Sequence, residues 1–217
     1  MSETDSRREI LERIRAALRA ESGELRERER ASEWRSLLRA YRRQGTLGEA
    51  ELVALFDERI RHYNATTYYS EGDVRADIAR VLSGRGKRVL IVPPGFPGHW
   101  LPAGFMFIPD EELSNGQLNS NDGIVTGCTL AIALTGTIVL ESSPDQGRRA
   151  ATLIPDYHLC VVRKRDIVEL VPEAIRKLEG IKTRPLTFIS GPSATVDIEM
   201  TRIRGVHGPR TLDILIV

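Results

Sequence analysis

Apolar side chains recur at helical spacing through the first part of the chain, although charged residues are dense there. Residues 7–43 are rich in Arg and Glu, two glycines then interrupt the pattern, and an amphipathic helix is predicted over 49–63. The early apolar stripes are Ile10, Leu11, Ile14 and Leu18, then Trp34, Leu37, Leu38 and Tyr41. We therefore predict a helical extension over residues 1–44, either a partner-binding arm or a solvated helix packed on its own domain, and a second domain over 45–217.

Beyond the extension, short apolar runs rich in β-branched residues alternate with helical segments. Strands are predicted at residues 66–69, 88–92, 124–126, 137–140, 159–162, 187–190 and 212–217, and helices at 74–82, 128–134 and 167–178. Continuously apolar strands are typical of a sheet that helices cover on both faces. The pattern therefore predicts an α/β layered domain with a mainly parallel sheet.

The segment after residues 187–190 is predicted to turn sharply and begin a helix. Gly191-Pro192-Ser193 has the composition of a tight turn, and Ser193 or Thr195 suits a helix N-cap. Asp197 and Glu199 would then lie in the first helical turn, where the helix dipole favours carboxylates.

Composition excludes several classes of function. The net charge of +1 gives no argument for nucleic acid, and no apolar run approaches the roughly 20 residues that span a bilayer. Two cysteines are too few for a disulfide scaffold, a four-thiolate zinc site or an iron–sulfur cluster. No signal-type segment begins the chain, so the cytoplasm is the expected location.

Two polar turns are candidates for binding a small anion, because exposed backbone N–H groups and hydroxyls accept carboxylate or phosphate oxygens. Ligands of open α/β sheets bind beyond the carboxyl ends of the strands, and we expect both turns at that edge. The alternative is that they only cap helices and start strands. The candidate binding residues are Thr135, Gly136, Thr137, Gly191, Ser193 and Thr195.

His207 and Glu199 are the candidate acid/base residues, and His158 is a further candidate for binding substrate. Alternatively, His207 hydrogen-bonds its neighbouring backbone and fixes the Gly-Pro turn. Residues 93–121 form a long Pro- and Gly-rich segment in which His99-Trp100 either lines a ligand pocket or pins the loop. No two histidines have ligand spacing, so no metal site is predicted.

Two motifs resemble those of a known family. The C-terminal motif consists of Ser190-Gly191-Pro192-Ser193, Asp197-Ile198-Glu199 and Gly205-Val206-His207-Gly208-Pro209. The central motif consists of Thr135-Gly136-Thr137-Ile138-Val139-Leu140 with Gly147-Arg148, continued by Pro155, His158 and Val161-Val162. Together they are similar to the LUD domain, the lactate-utilisation protein C family, over residues 123–217. Two departures from that family are Leu134, where a glutamate is usual, and Ala194, where a basic residue is common.

The resemblance implies a Rossmann-like three-layer α/β sandwich similar to the ribose-phosphate isomerase, glucosamine-phosphate deaminase and CoA-transferase group. It also implies an accessory subunit of a system that oxidises L-lactate to pyruvate with iron–sulfur partner proteins, this chain holding no cofactor. Whether the chain is itself catalytic is left open, as is homo-oligomerisation. The alternative is a free-standing enzyme or binding protein for a phosphorylated or CoA-linked metabolite.

Overall fold

The computed structural model describes residues 3–21, 24–38, 40–181, 184–196, 202–204 and 208–217, with side chains at 7–17, 30–38, 40–181, 184–194 and 208–217. The chain divides into two compact units, residues 1–41 and 42–217. The first unit contains helices α1 (Glu3–Glu21) and α2 (Glu24–Ser36). None of the helices in the described ranges is both long and apolar enough to cross a membrane.

The second unit is built on a six-stranded sheet. Its strands are β1 (Thr66–Tyr69), β2 (Val89–Val92), β3 (Met106–Pro109), β4 (Gly123–Thr126), β7 (Tyr157–Val162) and β12 (Thr211–Ile216). They lie in the order β1-β12-β7-β4-β2-β3, and every neighbouring pair is parallel. The predicted α/β fold with a mainly parallel sheet is therefore confirmed.

A second sheet and a β-ribbon accompany the six-stranded sheet. The second sheet contains β5 (Leu130–Ile132), β6 (Thr137–Glu141), β8 (Ile167–Val168) and β9 (Leu186–Ile189), in the order β8-β5-β6-β9. The ribbon pairs β10 (Ala194–Val196) with β11 (Arg202–Arg204) in antiparallel orientation. The helices of this unit are α3 (Glu49–His62), α4 (Val74–Gly84), α5 (Asn115–Asn119), α6 (Arg149–Leu153) and α7 (Val171–Leu178).

Both faces of the six-stranded sheet are covered by apolar side chains. Phe56 and Ile60 of α3 share one core cluster with Ile214 of β12. Ile78 of α4 shares a second cluster with Leu159 of β7. All six residues of β7 are buried, which explains why its sequence is continuously apolar apart from one histidine.

Two predicted helices are wrong. Residues 128–134 contain β5, which pairs antiparallel with β6 through a tight turn at Gly136. Gly136 has φ +56°, and a side chain there would meet the backbone of Arg59 at 2.6 Å. The turn after β9 leads into β10 instead of a helix, because residues 194–196 find backbone partners in β11. Short apolar runs carry too little periodicity to separate strand from helix.

Candidate functional site

A cavity of about 290 Å³ lies where the strands β7 and β12 begin. His158 and Leu212 lie at the amino ends of these strands, and the loop after β9 borders the opposite side. We call it the amino-end cavity. Its polar lining residues are Arg149, Thr152, His158, Ser190 and Ser193; its other lining residues are Leu153, Phe188, Ile189, Gly191, Pro192, Ala194, Gly208, Pro209 and Leu212.

The loop over residues 190–194 is held in place by close backbone packing. Gly191 has φ +89°, and a Cβ added there would lie 2.4 Å from Cβ of Tyr63. The N–H of Ser193 donates to the carbonyl of Pro209 over 2.8 Å, which joins the loop to the segment before β12. Gly191 is therefore required at this position, because only glycine allows so close an approach at a positive φ.

His158 is a neutral imidazole at the buried end of the cavity. Its Nε2 lies 2.7 Å from Oγ1 of Thr126, and only 1% of the residue is exposed. Burial, together with the nearby charge of Arg149, lowers the pKa of His158 to about 4. Nδ1 has no hydrogen-bond partner among the described residues. His158 is therefore suited to hydrogen bonding and ill suited to carrying charge near neutral pH.

The central and C-terminal motifs are connected by hydroxyl groups. Oγ1 of Thr137 lies 2.7 Å from Oγ of Ser190 and 2.8 Å from Oγ1 of Thr135. Pairing between β6 and β9 brings these residues together, although they are more than 50 positions apart in sequence. Thr135 and Thr137 thus support the cavity through Ser190, while Gly136 forms the hairpin turn.

The structure brings three of the predicted binding residues, His158, Gly191 and Ser193, to one cavity. Thr195 lies in β10, and its side chain is outside the described residues, as are the candidate acid/base residues Glu199 and His207. Their roles stay predictions.

The expected position of this site at the carboxyl edge of the six-stranded sheet is wrong. His158 and Leu212 are the second residues of their strands, so the cavity lies at the opposite, amino edge. The reason is that the loop follows β9 of the second sheet, so it does not leave the carboxyl end of any strand of the six-stranded sheet. The general rule for open α/β sheets does not apply to a loop supplied by another sheet.

Arg149 is the charged lining residue that was not singled out from the sequence. It lies in the basic Gly147-Arg148-Arg149 segment, whose two arginines have different surroundings. Arg148 donates from Nε and Nη2 to the buried Asp110 over 2.9 and 2.8 Å, and it also donates to the carbonyl of Leu113. Arg148 therefore ties the end of β3 to α6, and Arg149 is left to face the cavity.

Metal ligation has no support in the described part of the chain, which contains no group of three or more His, Cys, Asp or Glu side chains with suitable placement. Cys128 and Cys160 are both buried and unbridged. A hydrogen bond with Cys160, together with burial, raises the pKa of the Cys128 thiol. The Cys128 thiol therefore stays protonated and does not act as a thiolate ligand near neutral pH.

Comparison with known proteins identifies the family. A family model described as the LUD domain matches residues 108–217. A protein named lactate utilization protein C from Deinococcus radiodurans is 46% identical over 175 residues, covering 79% of this chain and 82% of that protein. Another protein of that name from Shouchella clausii is 37% identical over 105 residues, covering 46% of this chain and 45% of that protein.

The fold is similar to that of a solved relative. The crystal structure of a duf162 family protein from Deinococcus radiodurans matches with a TM-score of 0.69 and 38% identity, covering 79% of this chain and 99% of that one. The sequence resemblance is thereby confirmed. This chain belongs to the LUD domain family.

Proposed function

We propose that this chain serves lactate utilisation as an accessory subunit, and that its amino-end cavity binds a small carboxylate in that role. The names of the relatives from Deinococcus radiodurans and Shouchella clausii support the link to lactate. In this proposal L-lactate loses two electrons and two protons to become pyruvate, and iron–sulfur partner proteins accept the electrons. The cytoplasm is the expected compartment.

The observation that carries the proposal is the polarity of the amino-end cavity. Arg149 supplies a permanent positive charge, and the hydroxyls of Ser190 and Ser193 line the same cavity, whereas the Thr152 hydroxyl donates to the carbonyl of Arg149 over 3.2 Å. No carboxylate is among the lining residues in the described part of the chain. Carboxylates pair well with guanidinium and hydroxyl donors. About 290 Å³ is at the lower end of small-molecule sites, so a compact metabolite is favoured over a large one.

The chemistry of His158 favours binding over proton abstraction. A group with a pKa of about 4 is a weak base at neutral pH, and its ring is already hydrogen-bonded through Nε2. If the Thr126 hydroxyl donates to Nε2, the proton of the neutral ring lies on Nδ1, which is buried and has no hydrogen-bond partner among the described residues. The cavity is then a receptor for an anion that the partner proteins produce or consume.

The experiment has two parts. Calorimetry with the purified chain measures the binding of pyruvate and L-lactate to wild type, Arg149→Gln and Arg15→Gln. We expect affinity to fall at least tenfold for Arg149→Gln and to stay unchanged for Arg15→Gln. Arg15 is the control because it is an exposed arginine of the other unit. An anaerobic pull-down from native cells then measures bound iron and lactate-dependent dye reduction. Lactate oxidation by the isolated, metal-free chain would contradict the accessory role.

The alternative is a free-standing enzyme or binding protein for a phosphorylated or CoA-linked metabolite. It predicts that the pull-down yields an iron-free protein without partners, and that such a metabolite raises the melting temperature. At 100-fold excess over the dissociation constant, the stabilisation would be about 2.7 kcal/mol.

A further inference from the structure

A second cavity, of about 510 Å³, lies at the other end of the same strands. Ser70 follows β1, Arg163 follows β7 and Val217 follows β12, and all three line this cavity. We call it the carboxyl-end cavity. His158 near the start of β7 and Arg163 just after its end are five positions apart in extended chain, so these two lining residues are separated by about 16 Å. The second cavity lies at the edge where ligands of open α/β sheets usually bind.

Three consecutive basic residues, Arg163, Lys164 and Arg165, line the carboxyl-end cavity. The N–H of Lys164 donates to the carbonyl of Val217 over 2.8 Å, which fixes the backbone of this segment to the end of β12. Lys164 and Arg165 form no ion pair with any side chain in the described ranges. Their charges are therefore available to a ligand.

The aromatic part of the wall is Trp100, which lies in a 3-10 turn over Gly98–Trp100. The Arg163 guanidinium lies over the Trp100 ring at 5.1 Å from its centroid, and its ion pair with Asp166 is long at 3.8 Å. Phe96 contacts Trp100 edge-on, with ring centroids 5.9 Å apart. This packing orients a flat, half-buried surface beside the cationic segment.

The nearby helix terminus is already occupied by this chain's own carboxylates. At the start of α4, the Asp73 carboxylate accepts from the N–H groups of Arg75 and Ala76. Asp77 accepts from the hydroxyl of Ser70 and the N–H of Glu71. An anion at this edge would therefore be bound by the basic side chains and not by the N–H groups at the start of α4. Glu49 is the only carboxylate side chain among the described lining residues, against three cations.

We propose that the carboxyl-end cavity binds an organic phosphate with an aromatic body, of the nucleotide class. The cations Lys164 and Arg165 bind the phosphates, and the Trp100–Arg163 pair contacts the ring. A volume of about 510 Å³ suits a ligand of this size and exceeds what a three-carbon acid would fill. This proposal is independent of the carboxylate site at the amino end, because the two cavities share no lining residue.

Trp100 provides a direct readout of binding. The chain contains two tryptophans, so a Trp34→Phe background leaves Trp100 as the sole indole reporter. The probes are ADP, adenosine and pyrophosphate, titrated by fluorescence and by calorimetry. We expect ADP to change the Trp100 emission and to bind at least tenfold more tightly than adenosine or pyrophosphate.

Variants in the same background test the assigned residues. Lys164→Gln and Arg165→Gln are expected to weaken ADP binding at least tenfold each, whereas Lys177→Gln leaves it unchanged. Lys177 is the matched control because it is exposed on α7 and lines neither cavity. Pyruvate binding should be unaffected by Lys164→Gln. Absence of ADP binding at millimolar concentration, or equal ADP binding by wild type and Lys164→Gln, would overturn the proposal. Equal affinity for pyrophosphate and ADP would contradict the role of Trp100.

Discussion

Nε2 of His158 lies 2.7 Å from Oγ1 of Thr126, and the two residues lie on the neighbouring parallel strands β7 and β4, where the register partner of His158 is Ile124. His158 lines the amino-end cavity, so this buried polar contact lies beside it. Because a buried imidazolium would lack a compensating negative charge there, the ring is held neutral. We therefore expect the free energy of unfolding and the binding of a ligand in the amino-end cavity both to depend on the neutral imidazole of His158.

The first prediction concerns the pH dependence of folding. The pKa of His158 is about 4 in the folded chain and 6.5 as the ordinary value. Between pH 4 and pH 6.5 the imidazole of His158 is protonated in the unfolded chain and neutral in the folded chain. The contribution to stability is therefore fully present above about pH 6.5 and decreases as the pH falls towards 4, by up to about 3 kcal/mol. Urea unfolding at pH 7.5 and pH 5 measures the change.

Two variants assign this pH dependence to His158. Replacing His158→Gln removes the titrating group and should flatten the stability profile between pH 4 and 6.5. Replacing the exposed His62→Gln should leave the profile as in wild type. A His158→Gln variant that kept the full wild-type slope would show that another group is responsible.

The second prediction concerns Asp213, which is fully buried on β12. Arg85 donates to both of its carboxylate oxygens over 2.8 and 2.7 Å, and the Tyr157 hydroxyl donates over 2.9 Å. Removing the guanidinium leaves a buried charge without its counter-ion, so Arg85→Ala should destabilise the chain by about 3–5 kcal/mol. Chemical denaturation at pH 7 measures the loss.

The matched control for this pair is Arg210 with Asp156, in which two guanidinium nitrogens also donate to the carboxylate oxygens. Both of its side chains are at least half exposed. Solvent already compensates these charges, so Arg210→Ala should cost about 0–1 kcal/mol. An equal loss in the free energy of unfolding for Arg85→Ala and Arg210→Ala would mean that the burial of Asp213 does not determine the cost of removing its arginine partner.

The third prediction concerns the loop that borders the amino-end cavity. Gly191→Ala introduces a Cβ at φ +89° that would lie 2.4 Å from Cβ of Tyr63. Either the loop or α3 must move, which should cost about 1–3 kcal/mol and weaken pyruvate binding. Gly98→Ala is the control, because Gly98 has no positive φ and no atom within 4 Å of the added Cβ. Unchanged pyruvate affinity in a stable Gly191→Ala chain would mean that this loop does not contribute to pyruvate binding.

β3 lies within residues 93–121, which the sequence predicted to form a loop. The other five strands of the six-stranded sheet were predictable, because burial leaves a largely apolar record such as that of β7 and β12. β5 and β10 were not, because each has three residues and is defined by its partner strand. His158, Gly191 and Ser193 were found from motif chemistry. Arg149 was missed because adjacent arginines look alike in sequence, and only the ion pair of Arg148 with Asp110 distinguishes them. The edge of the six-stranded sheet at which the cavity lies could not be predicted, because the loop that borders it comes from a second sheet that the sequence pattern did not reveal.

The last prediction concerns Leu134, which stands where the resemblance leads one to expect a glutamate. Leu134 follows β5 at the hairpin, is 44% exposed, and lines neither of the two cavities. Its N–H donates to the carbonyl of Glu169, a bond that does not depend on the side chain. Leu134→Glu should therefore change the free energy of unfolding by less than about 0.5 kcal/mol and leave pyruvate affinity unchanged.

Leu130→Glu is the contrasting variant: Leu130 is buried in the second sheet, and a carboxylate there should unfold the chain. A large change in pyruvate affinity for Leu134→Glu, measured by calorimetry, would mean that the hairpin reaches the ligand.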